Sequence, residues 1–123
     1  MKIHESAENY LETILILQKR QGQVRSIDIA SELSFSKPSV SVAMKNLRLN
    51  GYIDVSKDGY ITLLDKGREI AEKMYERHTL FSDWLIALGV SPQVAAEDAC
   101  RIEHVISDET FEAFKAHAAK HQP

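Results

Sequence analysis

The sequence has little of what marks secreted, membrane-bound or unstructured chains. A single cysteine, Cys100, excludes an internal disulfide, and three prolines and five glycines in 123 residues are too few for a disordered or fibrous protein. No run approaches the roughly 20 apolar residues of a membrane span, and no apolar segment of a signal peptide follows the first residues. We therefore expect a globular protein of the reducing cytoplasm, without a membrane partner.

An acidic total charge hides an uneven distribution. The net charge is -3, which by itself argues against nucleic acid as a partner. However, no Asp or Glu occurs from Leu33 to Ile53, a stretch that holds Lys37, Lys45 and Arg48. A basic surface can therefore coexist with the acidic total.

Apolar periodicity predicts a mainly helical chain with one small β-hairpin. Helices are expected at about 5–21, from an N-cap at Ser26, from an N-cap at Ser36 to Gly51, from 65 to about 88, from Ser91-Pro92 to about 106, and after Ser107-Asp108. Two short β-rich segments, 52–55 and 60–63, flank the turn residues 56–59 and predict a hairpin.

This order of elements indicates a winged helix-turn-helix followed by an all-helical region. We place the DNA-binding domain at 1–64 and a helical domain at 65–123, with the helix of about 65–88 as connector. Since few residues follow the connector, the helical domain is expected to pack against a second copy and form a homodimer.

The third helix is the candidate recognition helix. Its apolar stripe, Val40, Ala43, Met44 and Leu47, is expected to face the core, which leaves the opposite side for DNA. Lys45 is predicted near phosphate and Lys57, in the hairpin turn, near the backbone. The predicted DNA-binding residues are Ser36, Lys37, Pro38, Ser39, Ser41, Val42, Lys45 and Lys57.

A second set of polar residues lies on the helix after Pro92. Glu97, Cys100, Glu103 and His104 share one helical sector, apart from the apolar stripe that includes Ala99. A thiolate, carboxylate and imidazole together suit a divalent transition metal better than Mg²⁺ or Ca²⁺. The alternative is a solvated helix face with one buried cysteine. The partial match to the H-x-x-E-H zinc-hydrolase signature lacks its first histidine, and we expect no enzymatic activity.

Two further polar positions are weaker metal candidates. Asn9 and Glu12 form an i, i+3 pair on the first helix, a pattern that usually faces water. His78 is in register with Met74 and Phe81 and is expected to point inward, where a histidine is more often a core residue than a ligand.

Four segments together resemble the diphtheria-toxin-repressor and manganese-transport-regulator family of metal-dependent bacterial transcription factors. They are Glu8-Asn9-Tyr10-Leu11-Glu12-Thr13-Ile14, Ser36-Lys37-Pro38-Ser39-Val40-Ser41, Leu63-x-x-x-Gly67 with Arg77-His78-x-Leu80, and Asp98-Ala99-Cys100-Arg101-x-Glu103-His104-Val105-x-Ser107. The resemblance implies a repressor of metal-homeostasis genes that binds a palindromic operator as a dimer. It also implies that the metal ligands are Asn9, Glu12, His78, Cys100, Glu103 and His104.

The chain departs from that family's pattern at three positions. The family usually has Asp or Met where this chain has Asn9, and the second metal site of the iron-responsive branch is replaced here by Ser82 and Ala96. Cys100 is similar to the iron-responsive branch and Glu12 to the manganese-responsive one. We expect Fe(II) or Mn(II) as co-repressor, with Co, Ni or Zn able to substitute in vitro. The alternative is a winged-helix regulator of a small organic ligand, in which Cys100 and His104 are structural.

Overall fold

The computed structural model describes residues 5–120 as six helices and one two-stranded sheet. The described chain divides into two compact units, with the boundary between Lys73 and Met74. The predicted domain boundary at 64/65 remains a prediction. The elements are α1 (Glu5–Gln21), α2 (Ser26–Leu33), α3 (Lys37–Leu49), β1 (Ile53–Val55), β2 (Ile61–Leu63), α4 (Asp65–Ala87), α5 (Pro92–Val105) and α6 (Asp108–Lys120).

The helices of the first unit surround an aliphatic core. Leu11 and Ile14 of α1, Ile29 of α2 and Val40 of α3 are completely buried, as the helical spacing of apolar residues predicts. The helix-turn-helix therefore forms around the residues that the periodicity selects. Burial of each such side chain contributes about 1.5–3 kcal/mol to folding.

The start of α2 corrects one sequence expectation. The predicted N-cap at Ser26 is wrong, because the structure places Arg25 at the cap position and Ser26 inside the helix. The Arg25 backbone N–H donates to Oδ2 of Asp28 over 2.8 Å. Since this carboxylate closes the first turn, no capping hydroxyl is needed there.

The start of α3 confirms the predicted cap. Ser36 is the N-cap, and its Oγ accepts the Ser39 backbone N–H over 3.3 Å. Pro38 lies in the first turn, where a missing N–H costs no helical hydrogen bond. The sequence therefore fixes the point at which the candidate recognition helix begins.

The wing is a short antiparallel hairpin. Ile53 pairs with Leu63 and Val55 with Ile61, and the turn closes through Gly59, whose φ of 87° favours glycine. Shortly after β2, Gly67 packs so closely that a Cβ there would overlap the carbonyl oxygen of Tyr52. The first turns of α4 therefore lie directly against the chain that leads into the wing.

The second unit has a small aromatic core. Phe81 of α4, Ala99 of α5 and Phe111 of α6 are its buried members, and Leu80, Ile102, Ile106 and Phe114 pack around them. The rings of Phe81 and Phe114 lie 4.9 Å apart in a tilted arrangement.

The predicted mainly helical fold with a winged helix-turn-helix is thus confirmed. No helix within residues 5–120 has both the length and the apolar character needed to cross a bilayer.

Candidate metal centre and DNA-binding surface

Helix α5 carries a compact group of potential metal ligands. Ser91 and Pro92 begin the helix, and Ala95 and Ala99 attach one of its faces to the core. The structure brings Cys100, Glu103 and His104 together, with one donor atom from each within 4.8 Å of the others. Because metal–ligand bonds are about 2.0–2.3 Å long for nitrogen and sulfur, one ion can reach all three after a small adjustment.

The Glu103 carboxylate lies at the centre of this group. It is completely buried, although it belongs to the sector of α5 that lies apart from the apolar stripe. Its Oε2 lies 3.4 Å from Nδ1 of His78, and its Oε1 lies 3.5 Å from Nε2 of His104. Both contacts are longer than ordinary hydrogen bonds, and among residues 5–120 neither oxygen accepts a well-formed one. A buried carboxylate in this situation is costly unless a cation compensates its charge.

His78 joins the centre from α4. It is half-buried, as the predicted inward orientation requires, and lies beside Glu103 although 25 positions separate the two residues in the sequence. Its long polar contact with the carboxylate raises the pKa of His78, the negative charge of Glu103 adds to this, and burial opposes it. The negative charge of Glu103, which raises the pKa of His78, is therefore the charge that a bound metal ion would neutralise.

Arg77 holds the end of α5 in place and was not singled out from the sequence. Its side chain is 3% exposed, and Nη1 donates to the backbone carbonyls of Glu103 and Ile106, both over 2.9 Å. Nη2 donates to Oδ1 of Asp108 over 2.6 Å. Position 77 is three residues after Met74 and four before Phe81, so helical spacing places it towards the interior, but the spacing does not indicate which groups a buried arginine there would contact.

The other predicted ligands lie on α1, in the first unit. Glu12 is buried and Asn9 is partly buried, and the backbone carbonyl of Asn9 accepts the hydroxyl of Thr13. Glu97, which shares the predicted sector of α5, is exposed and lies outside the group of three ligand residues. The assignment of Asn9 and Glu12 as ligands remains a prediction.

The predicted DNA-binding residues are all exposed. On α3, Val40, Met44 and Leu47 are buried, so that the opposite side of the helix faces outward, with Val42 among its most exposed apolar residues. Lys57 lies in the turn of the wing. The exposed residues of the predicted set are Ser36, Lys37, Pro38, Ser39, Ser41, Val42, Lys45 and Lys57.

The electrostatics of this surface suit a polyanion. No acidic residue occurs in α3, whereas Lys37, Lys45 and Arg48 do. Near the wing, the Arg25 guanidinium lies 4.4 Å from the centre of the Tyr60 ring. This contact is not predictable from local patterns, because Arg25 and Tyr60 are far apart in the sequence and a cation stacked on a ring has no periodic signal.

Comparison with protein families matches both halves of the chain. Residues 2–61 match the N-terminal DNA binding domain of iron dependent repressors, and residues 64–121 match the metal binding and dimerisation domain of iron dependent repressors. The two matches follow each other in the order of the two domains in that family.

Individual relatives agree with these matches. The transcriptional regulator MntR of Escherichia coli O157:H7 is 35% identical over 117 residues, covering 95% of this chain and 76% of the relative. Two solved structures are similar to this chain. The manganese regulator SloR has a TM-score of 0.81 and 28% identity, and the match covers 97% of this chain and 55% of the SloR chain. A manganese-dependent transcriptional repressor in complex with manganese has a TM-score of 0.83 at 29% identity, over 92% of this chain and 52% of its own. The chain thus spans about half the length of these solved proteins.

Proposed function

Because the chain belongs to the diphtheria-toxin-repressor and manganese-transport-regulator family, a family of metal-dependent, DNA-binding regulators without enzymatic activity, we propose that it is a metal-activated repressor. A bound divalent ion, Fe(II) or Mn(II), increases its affinity for operator DNA that controls metal-homeostasis genes. The observation that carries this proposal is the buried Glu103 carboxylate among Cys100, His104 and His78. It favours the metal over a small organic ligand as effector.

The residues present fit a divalent transition metal. A cation placed among these donors would supply positive charge to a carboxylate that lacks a well-formed hydrogen bond within residues 5–120. Cys100 offers a thiolate and His104 an imidazole, and this soft and borderline pair favours Fe(II) and heavier ions over Mn(II). The similarity to a manganese regulator and to a manganese-dependent repressor supports Mn(II) as the other candidate ion. Co, Ni and Zn are expected to bind at least as tightly in vitro.

The family resemblance supports ligands from α1 as well. We propose that Asn9, through its carbonyl oxygen, and Glu12 contribute to metal binding in addition to the α5 residues. An ion held by residues of α1 and of α5 would favour one arrangement of the DNA-binding helices over others. A typical coupling free energy of about 1–3 kcal/mol corresponds to roughly 5–150-fold in operator affinity.

The DNA contacts follow from the exposed side of α3. In this proposal Ser39, Ser41 and Val42 lie near base edges in the major groove, Lys45 contacts phosphate, and the wing turn with Lys57 approaches the backbone. Small hydroxyl and apolar side chains discriminate bases weakly, so that DNA shape contributes strongly to specificity. A homodimer of such units reads a palindromic operator, and the cytoplasm is the proposed location.

Metal-dependent DNA binding tests the proposal directly. A random DNA pool is selected with the protein in Mn(II), and the affinity for the selected duplex is then measured with chelator, with Mn(II), and with Fe(II) under anaerobic conditions. We expect affinity to fall by roughly 5–150-fold in chelator. Equal affinity in all three conditions would refute the metal switch.

Two variants locate the response in the protein. The double substitution Cys100→Ser and His104→Gln is expected to remove both Co(II) uptake and the metal effect on DNA affinity. Co(II) bound to the native protein should show a sulfur-to-cobalt charge-transfer band, which the variant lacks. His117→Gln on α6, an exposed histidine next to Trp84, is the matched control and should behave as the native protein.

A further inference from the structure

Helix α5 ends directly after its last candidate ligand and has no left-handed residue to close it. The helix ends at Val105, next to His104, and Ile106 at the C-cap has an extended backbone. The last four carbonyls of a helix have no amide partner within it, and buried ones must find donors elsewhere. Glu103, third from the end, is completely buried. The end of α5 therefore depends on donors from other parts of the chain.

Arg77 of α4 supplies these donors. Its Nη1 donates to the carbonyls of Glu103 and Ile106, and its Nη2 donates to Asp108, the first residue of α6. The Cζ atom of the same guanidinium lies 5.2 Å from the centre of the Phe111 ring. Because the donors of a guanidinium have fixed directions, bonds to several acceptors also fix the orientation of those acceptors. One side chain of α4 thus holds the end of α5 and the start of α6.

Two consecutive residues of α4 contact Glu103 at different points. Arg77 binds its backbone carbonyl, and Nδ1 of His78 lies 3.4 Å from its carboxylate. Since Arg77 and His78 are neighbours on one helix, the bond to the carbonyl limits how far α5 can slide or rotate relative to the His78 imidazole. Cys100 and His104 belong to α5 and move with it. The distance from the α4 imidazole to the α5 donors therefore depends on Arg77.

We propose that Arg77 is a positioning residue of the metal centre, which holds the three α5 donors at a fixed distance from His78 by fastening the end of α5 to α4. This inference rests on the proposed metal site and adds a role in metal affinity to the role of Arg77 in stability. Metal–ligand distances vary by only about 0.2 Å in well-formed sites, so a small shift of α5 weakens binding. Removing groups that orient metal ligands typically lowers metal affinity by about 10–100-fold.

Co(II) binding to Arg77 variants, measured without DNA, tests the proposal. Arg77→Met should lower Co(II) affinity by at least about ten-fold and change the ligand-field absorption of the bound ion. Arg77→Lys keeps the charge and a donor but not the fork of a guanidinium, so its affinity should lie between those of the native protein and Arg77→Met. Affinities are measured by competition with a chelating dye, and circular dichroism verifies that each variant is folded.

A control variant separates positioning from stability. Phe114→Leu weakens the same aromatic core, because the Phe114 ring packs against Phe81 and Trp84 of α4, but it leaves the bonds of Arg77 in place. If Arg77 acts by positioning, Phe114→Leu should bind Co(II) like the native protein even though it is less stable in urea. In chelator, hydrogen exchange at the amides of the last turn of α5 should become faster in Arg77→Met than in Phe114→Leu.

The outcomes distinguish this inference from the proposed function. If Arg77→Met bound Co(II) as tightly as the native protein and with the same spectrum, the positioning role would be overturned. An equal loss of affinity in Phe114→Leu would also overturn it, since stability alone would then explain the effect. Failure of the native protein to take up Co(II) would instead refute the metal site itself, and with it any positioning role.

Discussion

Replacing Arg77 by methionine removes a buried charge that fastens the end of α5. The guanidinium contacts the carbonyls of Glu103 and Ile106 and the carboxylate of Asp108, all with donor–acceptor distances of 2.6–2.9 Å. Methionine keeps an unbranched apolar stem of similar length, so that the change removes hydrogen bonds with little loss of packing. The substitution therefore isolates the polar role of this side chain.

The expected loss follows from the environment of each acceptor. Hydrogen bonds from a charged donor contribute about 1.5–3 kcal/mol when buried, which applies to the Glu103 carbonyl. Asp108 is 73% exposed and stays solvated after the change, so its ion pair adds only about 0–1 kcal/mol. With a smaller contribution from the partly buried Ile106 carbonyl, Arg77→Met should destabilise the fold by about 3 kcal/mol. This is a large share of the roughly 5–15 kcal/mol that stabilises a typical domain.

Urea unfolding in chelator, at one fixed protein concentration, measures this loss without a contribution from bound metal. Lys115→Met is the matched control, since Lys115 forms a 2.7 Å ion pair with Glu76 that also joins α4 to α6 but is half exposed. We expect the control to lose much less stability than Arg77→Met, because water solvates both partners of the exposed ion pair after the change. If Arg77→Met were no more destabilising than Lys115→Met, the anchoring role of Arg77 would be refuted.

Two further predictions concern the first unit. Gly67→Ala should destabilise the protein by about 1–3 kcal/mol in urea unfolding, because the new Cβ overlaps the Tyr52 carbonyl. Glu69→Ala, at an exposed site of the same helix, is the control and should change stability by less than about 0.5 kcal/mol. Equal effects of the two would contradict the close contact. Lys45→Gln should lower affinity for all DNA sequences and reduce the slope of log affinity against log salt by about one unit, while Lys115→Gln should leave it unchanged. An unchanged slope for Lys45→Gln would remove this residue from the phosphate contacts.

Local signals in the sequence were sufficient for most of the fold. The apolar spacing of α1 and α3, the Ser36 cap and the turn closed by Gly59 each depend on residues close together in the chain, and all appear as predicted. The predicted N-cap of α2 was wrong. Ser26 is a favourable N-cap residue by type, but Arg25 occupies the cap position and its backbone N–H donates to the Asp28 carboxylate. When two neighbouring residues can both start a helix, the backbone geometry decides between them, and residue preferences for the N-cap position do not describe that geometry.

The candidate metal centre was predictable only in part. Spacing along one helix brought Cys100, Glu103 and His104 together, since positions three and four apart share a face. The spacing left open whether this face is a metal site or solvated, because periodicity alone does not predict that the Glu103 carboxylate is completely buried. The approach of His78 from α4 depends on how two helices pack, and only the family resemblance indicated it.

Helix α5 presents three faces that are built from adjacent residues, and the buried Glu103 belongs to the ligand face. In 14 residues the helix presents a core face with Ala99, a ligand face with Cys100 and Glu103, and an exposed face with Asp98 and Arg101. Neighbouring residues in this segment belong to different faces, so a rotation of the helix that changed the metal ligands would also disturb the packing of Ala95 and Ala99 in the core.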